Sequence, residues 1–292
     1  RCGLCIDLCG GDVRLNQDSL MDWFNRNKRS LPWRKKPSPW SILLSEILLQ
    51  QTQMERGIEY HHRLYNRFPT PSSMANSDVD DVLYLWQGAG YYSRARRLHA
   101  LSQIVVADYG GKIPSTYDEL LALPGIGPYT AAAVASIAFS HPVACVDGNV
   151  RRVMARQTNN EDPTVIDVQK YADRNLLREY PGDWNQAMME LGALVCRPRK
   201  PTCGVCPVRD TCKGMLRAKE LPRPKKQKKT AIELQCVLKV DAQGLPELIQ
   251  RPDSGLFAGL WCPHIEEELD SQGLEFLGWI KHILSHRTMN VH

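Results

Sequence analysis

The sequence predicts a mainly α-helical protein that is followed by a small second domain containing strands. Three observations favour this: helical spacing of apolar residues over the first two thirds, a Lys- and Pro-rich stretch after it, and apolar–polar alternation beyond that. At 292 residues the chain is long enough for two domains. We expect a helical domain at 1–217, a linker at 218–230 and a second domain at 231–292.

The helical domain is predicted from apolar residues spaced three and four apart. Leu20, Trp23 and Phe24 share one helix face, and a second set shares another: Leu98, Leu101, Ile104 and Val105. Turn residues interrupt this pattern at 30–32, 68–71, 110–111 and 124–125. We therefore expect short helices joined by short turns.

The second domain is predicted to be small and either α/β or mostly β. The stretch 218–230 is rich in Lys, Arg and Pro, which is typical of an extended, solvated linker. Residues 232–240 alternate apolar and polar, 241–244 resemble a turn, and 245–250 can return as a second strand.

Composition narrows the functional classes only slightly. A formal charge of +5 is compatible with a polyanionic partner but is also common in other proteins. No apolar run approaches the roughly 20 residues of a membrane span, so we expect no membrane association. Four of the ten cysteines cluster, and no apolar signal segment stands at Arg1, so we expect a reducing, intracellular compartment.

The clustered cysteines predict a metal centre at 196–212. They have the spacing C-x6-C-x2-C-x5-C, and prolines within the loop prevent a regular helix; they are Cys196, Cys203, Cys206 and Cys212. Both zinc and an iron–sulfur cluster accept four thiolates, but a single C-x2-C pair flanked by wider gaps favours [4Fe-4S]. Cys2, Cys5 and Cys9 have no fourth ligand nearby, and we expect a frayed terminus there.

A hairpin and a following Asp form a second candidate site. Gly125 and Gly127 lie in a tight turn before a helix of small residues, where backbone N–H groups can hold a phosphate, although such a turn also serves plain folding. Asp147 stands near the start of a helix, and Asn149 follows it. Asp147 could be only a helix cap, but a cap also keeps a carboxylate ionised.

Glu46 has the opposite predicted environment. Its helix is apolar on nearly every face, so burial should raise the pKa of Glu46 unless the side chain points to solvent. One protonated and one ionised carboxyl group are the usual equipment for cleaving a glycosidic bond. The sequence therefore predicts Glu46 and Asp147 as a catalytic pair.

Several segments together resemble the adenine DNA glycosylase family of the helix-hairpin-helix superfamily, which also includes endonuclease III. The segments are Leu-Pro-Trp-Arg at 31–34, Ser-Glu-Ile-Leu-Leu-Gln-Gln-Thr-Gln at 45–53, Gly-Ala-Gly-Tyr-Tyr-Ser-Arg at 88–94, the hairpin at 123–130, Val-Asp-Gly-Asn-Val at 146–150 and the cysteine loop. The resemblance implies a [4Fe-4S] cluster and excision of adenine opposite 8-oxoguanine or guanine in double-stranded DNA, with the base flipped out. We also expect a monomer that acts on DNA inside the cell.

The resemblance also implies residue roles. Glu46 would protonate adenine and Asp147 would stabilise the sugar cation, with Tyr129 and Asn149 orienting them. Related bifunctional enzymes have a Lys where this chain has Tyr129, and Tyr cannot form a Schiff base, so a monofunctional enzyme is implied. The resemblance implies that six further residues contact DNA: Arg34, Gln51, Thr52, Tyr91, Gly125 and Gly127. Either Tyr91 or Tyr92 could instead belong to the core. Ala89 departs from the Leu expected in its loop.

The second domain resembles a Nudix-like domain that recognises 8-oxoguanine. Ser285 and His286 match the pattern of that domain, although Leu284 stands where the family usually has Phe. For His286, a turn at the end of a strand is an equally good interpretation. No Glu-rich Nudix helix follows Thr230, so we expect binding without pyrophosphate hydrolysis. The domain is short, and we expect it to be incomplete.

Two alternatives remain open from the sequence. The first is a glycosylase for another mismatch, such as thymine opposite guanine, against which Glu46 and Gln51 argue. The second is a non-catalytic DNA-binding protein that is stabilised by a metal centre, in which both carboxylates are structural.

Overall fold

The computed structural model describes residues 14–50, 52–224, 230–252, 255–270, 272–283 and 287–292. The chain divides into two compact units, with the boundary between Arg223 and Pro224. The described part of the first unit is helical, as expected. Its α-helices are α1 Gln17–Asn27, α2 Pro32–Lys35, α3 Pro39–Leu48, α4 Met54–Arg67, α5 Pro71–Ala75, α6 Val79–Trp86, α7 Ser93–Tyr109, α8 Tyr117–Ala122, α9 Pro128–Phe139, α10 Gly148–Thr158, α11 Val165–Asn175 and α12 Pro181–Glu190.

Two apolar clusters organise the first unit. One is formed mainly by α3, α4, α6, α7 and α9, with Trp86 and Leu98 fully or almost fully buried. The other joins α1 to α10, α11 and α12 around Phe24 and Trp184. Of the helices that carry candidate catalytic residues, α3 and α9 belong to the first cluster and α10 to the second. The packing of each cluster therefore helps to position these residues.

Helix α3 lies inside the first cluster. Ser38 caps its start by accepting a hydrogen bond from the backbone N–H of Ser41 (3.1 Å), and Pro39 occupies the first helical position. Every residue from Trp40 to Leu48 is buried. The all-round apolar pattern therefore predicted the burial of Glu46 correctly.

The hairpin between α8 and α9 has the geometry that its glycines require. Gly125 has φ of +81°, and a Cβ there would lie 3.0 Å from Arg97. Gly127 is the N-cap of α9, and Pro128 occupies its first turn. Alanines dominate the buried face of α9, which lets α3, α8 and α12 pack closely around it.

Helix α12 continues into a π-helical turn at Leu191–Val195. A Cβ on Gly192 would lie 2.4 Å from the Cβ of Asn149, so glycine is needed where this turn approaches α10. Short π-helical turns of this kind often occur at functional sites. Three 3-10 turns follow within and after the cysteine loop, at Cys203–Val205, Arg209–Thr211 and Met215–Arg217.

The predicted linker begins later than we expected. Ala218 and Leu221 are buried, and the buried Arg156 donates a hydrogen bond from Nε to the Leu221 carbonyl (3.0 Å). These two apolar anchors hold 218–223 in the first unit despite the basic composition around them. Residues 225–229 of the expected linker lie outside the described residues.

The described part of the second unit is a small β structure. Its strands are β1 Thr230–Val237, β2 Ile249–Gln250, β3 Trp261–Cys262, β4 His264–Glu266, β5 Ile280–Ile283 and β6 Arg287–Val291. Four of them form one sheet in the order β4-β1-β6-β5, in which β1 and β6 are parallel. Leu234, Ile265 and Met289 form its buried centre.

The expected hairpin of the second unit is present only in part. The predicted turn places the Asp241 carbonyl against the Gly244 N–H (3.0 Å), and a single bridge joins Val240 to Pro246. Only Ile249–Gln250 of the returning segment is a strand, and it pairs with β3 rather than with β1. Pro246 has no N–H to donate, which limits a longer ladder at this point. None of the described helices combines the length and the apolar character needed to cross a bilayer.

Candidate active site

A cavity of about 320 Å³ opens in the first unit among α2, α3, α9 and α12. Trp33, Glu46 and Tyr129 line it together with Met189 and Glu190. Its size lies within the range of small-molecule pockets, roughly 300 to 1,000 Å³. It is therefore a candidate binding site for a group of small-molecule size.

Glu46 is the buried acid of this cavity, with 7% of its surface exposed. Burial raises its pKa from 4.5 to about 7, and the negative charge of Asp147 acts in the same direction. A hydrogen bond from Tyr129 and the charge of Arg34 oppose the increase. A substantial fraction of Glu46 is consequently protonated near neutral pH, which is the state that a general acid needs.

Tyr129 lies in the first turn of α9 and directly contacts the acid. Its hydroxyl donates to Oε2 of Glu46 (2.7 Å) and also lies 3.3 Å from Sδ of Met189. Burial and the charge of Glu46 raise the pKa of Tyr129 well above its usual value. Tyr129 is therefore a neutral donor at any physiological pH, and it fixes the orientation of the Glu46 carboxyl group.

Asp147 is the N-cap of α10, as the sequence predicted. Its Oδ1 accepts from the backbone N–H of Val150 (2.8 Å), and its Oδ2 accepts from Nδ2 of Asn149 (2.6 Å). Both bonds fix the position of the carboxylate at the start of the helix. Asp147 does not line the cavity itself, but its charge raises the pKa of both Glu46 and Tyr129. The two carboxyl groups are therefore electrostatically coupled.

Hydrogen bonds connect Asp147 to the cysteine loop. Oδ1 of Asn149 accepts from Arg152 (2.7 Å), and the same guanidinium donates to the carbonyl oxygens of Gly192 and Cys196 (both 2.8 Å). Arg152 thus connects the orienting amide of Asn149 to the first cysteine of the loop. Sequence patterns did not identify Arg152, because Gly192 and Cys196 lie 40 and 44 residues away from it in the sequence.

Arg34 forms part of the cavity wall in the structure. It donates to Glu190 (2.6 Å) and to Gln186 (2.7 Å), and Arg29 bonds the other oxygen of Glu190 (2.8 Å). Glu190 is only 1% exposed, and each of its two carboxylate oxygens bonds one of these arginines. Glu190, Arg29 and Gln186 were not found from the sequence. A carboxylate within the apolar run at the end of α12 was the one available signal.

The other predicted DNA contacts have different positions. Thr52 is half-buried and bonds the Gln50 carbonyl (3.4 Å). Tyr91 is 43% exposed and has a left-handed backbone, with φ of +50°. Tyr92 packs partly against the first apolar cluster, which matches the expectation that one of the two tyrosines belongs to the core. Gln51, Ser285 and His286, as well as Cys2, Cys5 and Cys9, lie outside the described residues.

The four loop cysteines line one small pocket beside α10, together with Arg156. Burial and the neighbouring thiols raise the pKa of Cys206 and of Cys212 to about 11. Arg156 donates to Sγ of Cys196 (3.2 Å) and to the carbonyl oxygens of Cys196, Arg197 and Pro198 (2.9 to 3.0 Å). In the described parts of the chain, no three His, Cys, Asp or Glu side chains converge as ligands of a single ion.

Comparisons with known proteins agree on one family. Residues 44–176 match the model of the HhH-GPD superfamily of base excision DNA repair proteins. Three curated relatives are adenine DNA glycosylases. The Rattus norvegicus protein is 34% identical over 94% of this chain and 69% of its own length. The Buchnera aphidicola protein is 31% identical over 94% of this chain and 83% of its own length. The Mycobacterium tuberculosis protein is 41% identical over 69% of this chain and 68% of its own length.

Solved structures show the same fold. A thermostable thymine-DNA glycosylase matches with a TM-score of 0.63 and 28% identity, covering 68% of this chain and 94% of its own. Endonuclease III in a non-covalent DNA complex matches with a TM-score of 0.59 and 26% identity, covering 68% and 92%. The chain therefore belongs to the adenine DNA glycosylase family, a group of DNA glycosylases within the helix-hairpin-helix superfamily of base excision DNA repair proteins.

Proposed function

We propose that this chain excises adenine mispaired with 8-oxoguanine or guanine in double-stranded DNA by acid-assisted hydrolysis of the N-glycosidic bond. The observation that carries the proposal is the short hydrogen bond between Tyr129 and a buried Glu46 whose pKa is about 7, at the wall of a cavity. A carboxyl group that is protonated near neutral pH can donate its proton to a purine nitrogen. The family membership of the chain favours adenine as that purine.

The two carboxyl groups have separate roles in this mechanism. Glu46 donates its proton to N7 of an extruded adenine, and the C1′–N9 bond breaks with its electron pair leaving on the base. Asp147, fixed by two hydrogen bonds at the start of α10, stabilises the sugar cation or bonds to it transiently. Glu46, now ionised, then accepts a proton from the water that attacks C1′.

The product is an abasic site with an intact strand. Bifunctional relatives need an amine to form a Schiff base, and Tyr129 offers only a hydroxyl that stays protonated and bonded to Glu46. Lysine is absent from the cavity lining in the described part of the chain except for Lys28, which lies over the ring of Phe24 (5.1 Å). Strand scission therefore requires a separate alkaline step.

A [4Fe-4S] cluster is the metal centre that best fits the cysteine loop. Four thiols line one pocket, and four cysteine thiolates are the usual ligand set of such a cluster. Arg156 supplies positive charge to Cys196. Cys196, Cys203, Cys206 and Cys212 would hold the cluster, which braces a loop carrying Arg197, Arg199 and Lys200 for contact with phosphates.

The remaining proposed DNA contacts assist base extrusion and lesion recognition. Gln51 and Tyr91 would occupy the space left by the flipped adenine, which offsets part of an unstacking cost of a few kcal/mol. Gly125 and Gly127 would present backbone N–H groups to a phosphate. The second unit, as a Nudix-like domain with Ser285 and His286, would bind 8-oxoguanine without hydrolysing nucleotides.

A glycosylase assay tests the proposal directly. Duplexes carrying adenine opposite 8-oxoguanine, adenine opposite guanine, and thymine opposite guanine are incubated with the protein and analysed with and without alkali. We expect scission at adenine only after alkali, and no product from Glu46→Gln or Asp147→Asn. Scission without alkali would contradict the role of Tyr129. Release of thymine alone would favour the other mismatch glycosylase, and binding without any product would favour a non-catalytic protein.

The cofactor is tested separately by metal analysis of the purified protein. We expect about four iron atoms and four sulfides per chain, with a brown colour. One zinc ion and no sulfide would reject the cluster. Cys203→Ala should lower the metal content, whereas Cys145→Ala, outside the loop, should leave it unchanged.

A further inference from the structure

Arg94 is a buried charged residue to which the mechanism above assigns no role. It lies in the first turns of α7 and is only 8% exposed. Its guanidinium carbon lies 5.2 Å from the ring centre of Trp86 and 5.6 Å from that of Tyr91. A buried guanidinium normally has a structural or functional reason for the cost of its desolvation.

The hydrogen bonds of Arg94 join two separate segments. One terminal nitrogen donates to the carbonyl oxygens of Ile47 (3.0 Å), Leu48 (3.2 Å) and Gln50 (2.6 Å), at the end of the helix that carries Glu46. The other donates to the carbonyl oxygens of Ala89 (3.3 Å) and Gly90 (3.2 Å). The bonds to Ile47 and Leu48 satisfy carbonyl groups that the last turn of α3 leaves without helical partners.

The second segment needs such support, because its backbone is unusual. Gly88, Gly90 and Tyr91 all have positive φ, of +89°, +72° and +50°. For tyrosine this conformation is disfavoured and persists only where the surroundings enforce it. Arg94 contacts the ring of Tyr91 and the two carbonyl groups that precede it, so it restrains both its backbone and its side chain.

We propose that Arg94 is a positioning residue that couples the end of α3, at 47–50, to the loop at 88–91, so that both segments keep one fixed geometry relative to Glu46. The proposal rests on the proposed function for the role of these segments in DNA. Arg94 acts on extrusion of the adenine, through the segments it joins, and not on proton transfer from Glu46. The planar, forked guanidinium suits this role because it reaches two groups of acceptors at once.

Arg94→Lys is the main test, because an ammonium group keeps the charge but cannot bond both segments. Extrusion is followed by the fluorescence of 2-aminopurine placed opposite 8-oxoguanine, and chemistry by single-turnover release of adenine from pH 5 to 9. We expect extrusion to slow by about tenfold while the alkaline midpoint of the pH profile stays near 7. Normal extrusion, or a shifted midpoint, would overturn the proposal.

Hydrogen exchange gives a readout that is independent of the enzymatic activity. Arg94→Lys should speed exchange at the amides of both Leu49 and Ala89. Arg56→Met is the matched control, because among the described residues Arg56 bonds only the Gly88 carbonyl (3.0 Å), so exchange should change at Ala89 and not at Leu49. An effect of Arg94→Lys confined to one segment would contradict the coupling. If the wild-type protein released no adenine but the two variants showed these exchange changes, the proposed function would fail while the structural coupling held.

The unmodified protein provides a further measurement if Arg94→Lys does not fold. In native-state exchange at low urea concentrations, the amides of Leu49 and Ala89 should open with the same free energy and the same urea dependence, since one residue holds both segments. Two different urea dependences would show that the segments open separately, and the proposal would be wrong.

Discussion

The hydroxyl of Tyr129 donates a hydrogen bond of 2.7 Å to Oε2 of Glu46. This bond stabilises the ionised carboxylate and therefore lowers the pKa of Glu46, against the increase that burial causes. The pKa of about 7 is the net result of burial, this bond and the charges of Asp147 and Arg34. Tyr129 thus keeps the acid strong enough to give up its proton, while burial keeps the proton available near neutral pH.

Tyr129→Phe is expected to move the alkaline limb of the pH–rate profile to higher pH. The active form of Glu46 is protonated, so the wild-type rate should fall as pH rises through about 7. Without the hydroxyl, the ionised form loses a donor and the pKa rises. Single-turnover adenine release from pH 5 to 9 measures the shift. Met189→Leu keeps the bond to Glu46 and should leave the limb in place, and a limb that moves to lower pH in Tyr129→Phe would contradict the assignment.

Glu46→Gln is expected to abolish activity and to stabilise the protein at alkaline pH. The folded pKa of about 7 lies above the unfolded value of 4.5, so wild-type stability is lost as pH rises from 4.5 through 7. The neutral amide avoids this loss, which approaches about 3 kcal/mol above pH 8. Urea unfolding at pH 5 and pH 8 should show a difference between the variants that grows with pH. Equal pH dependence in both proteins would show that Glu46 is not desolvated.

Local patterns were enough to predict the burial of Glu46 and the helix-capping position of Asp147, because each environment is set by nearby sequence. The apolar faces of α3 bury Glu46, and the helix that starts after Asp147 makes it a cap. The pairing of Arg34 with Glu190 joins residues 156 positions apart, and no period or cap signal reports such a contact. The predicted strand at 245–250 was too long and was paired with the wrong strand, because apolar–polar alternation does not show which partner a strand finds.

Arg152→Met is expected to reduce catalysis by roughly tenfold to a hundredfold without unfolding the protein, because it removes the donor that holds Asn149 beside Asp147. The reduction should appear in the single-turnover rate and not in DNA affinity. Arg151→Met is the matched control on the same helix, since Arg151 bonds Asp162 and the Pro163 carbonyl and contacts neither Asn149 nor the cysteine loop. Equal rates for the two variants would show that the connection through Arg152 does not orient the carboxylate.

His61 should make the cavity wall sensitive to acid. It is 2% exposed, its ring lies 5.1 Å from that of Trp33 in the wall, and it stacks on Tyr65 (5.4 Å). Its Nε2 contacts Ser41 Oγ (3.0 Å), whereas its buried Nδ1 has no hydrogen-bond partner among the described residues. Burial lowers the pKa of His61 from 6.5 to about 4, so the folded protein favours the neutral ring.

The consequence for stability follows from the direction of that shift. The pKa of His61 is lower in the folded protein than in the unfolded chain, so the free energy of unfolding is highest above pH 6.5. It decreases as pH falls towards 4, by about 3 kcal/mol in total. His61→Phe keeps an aromatic ring between Trp33 and Tyr65 and should remove most of this acid-dependent loss. Urea unfolding at pH 7 and pH 4.5 measures it. His62→Phe changes the exposed neighbouring histidine and should retain the wild-type pH dependence of stability. If His61→Phe also retained that pH dependence, protonation of His61 would not destabilise the cavity wall.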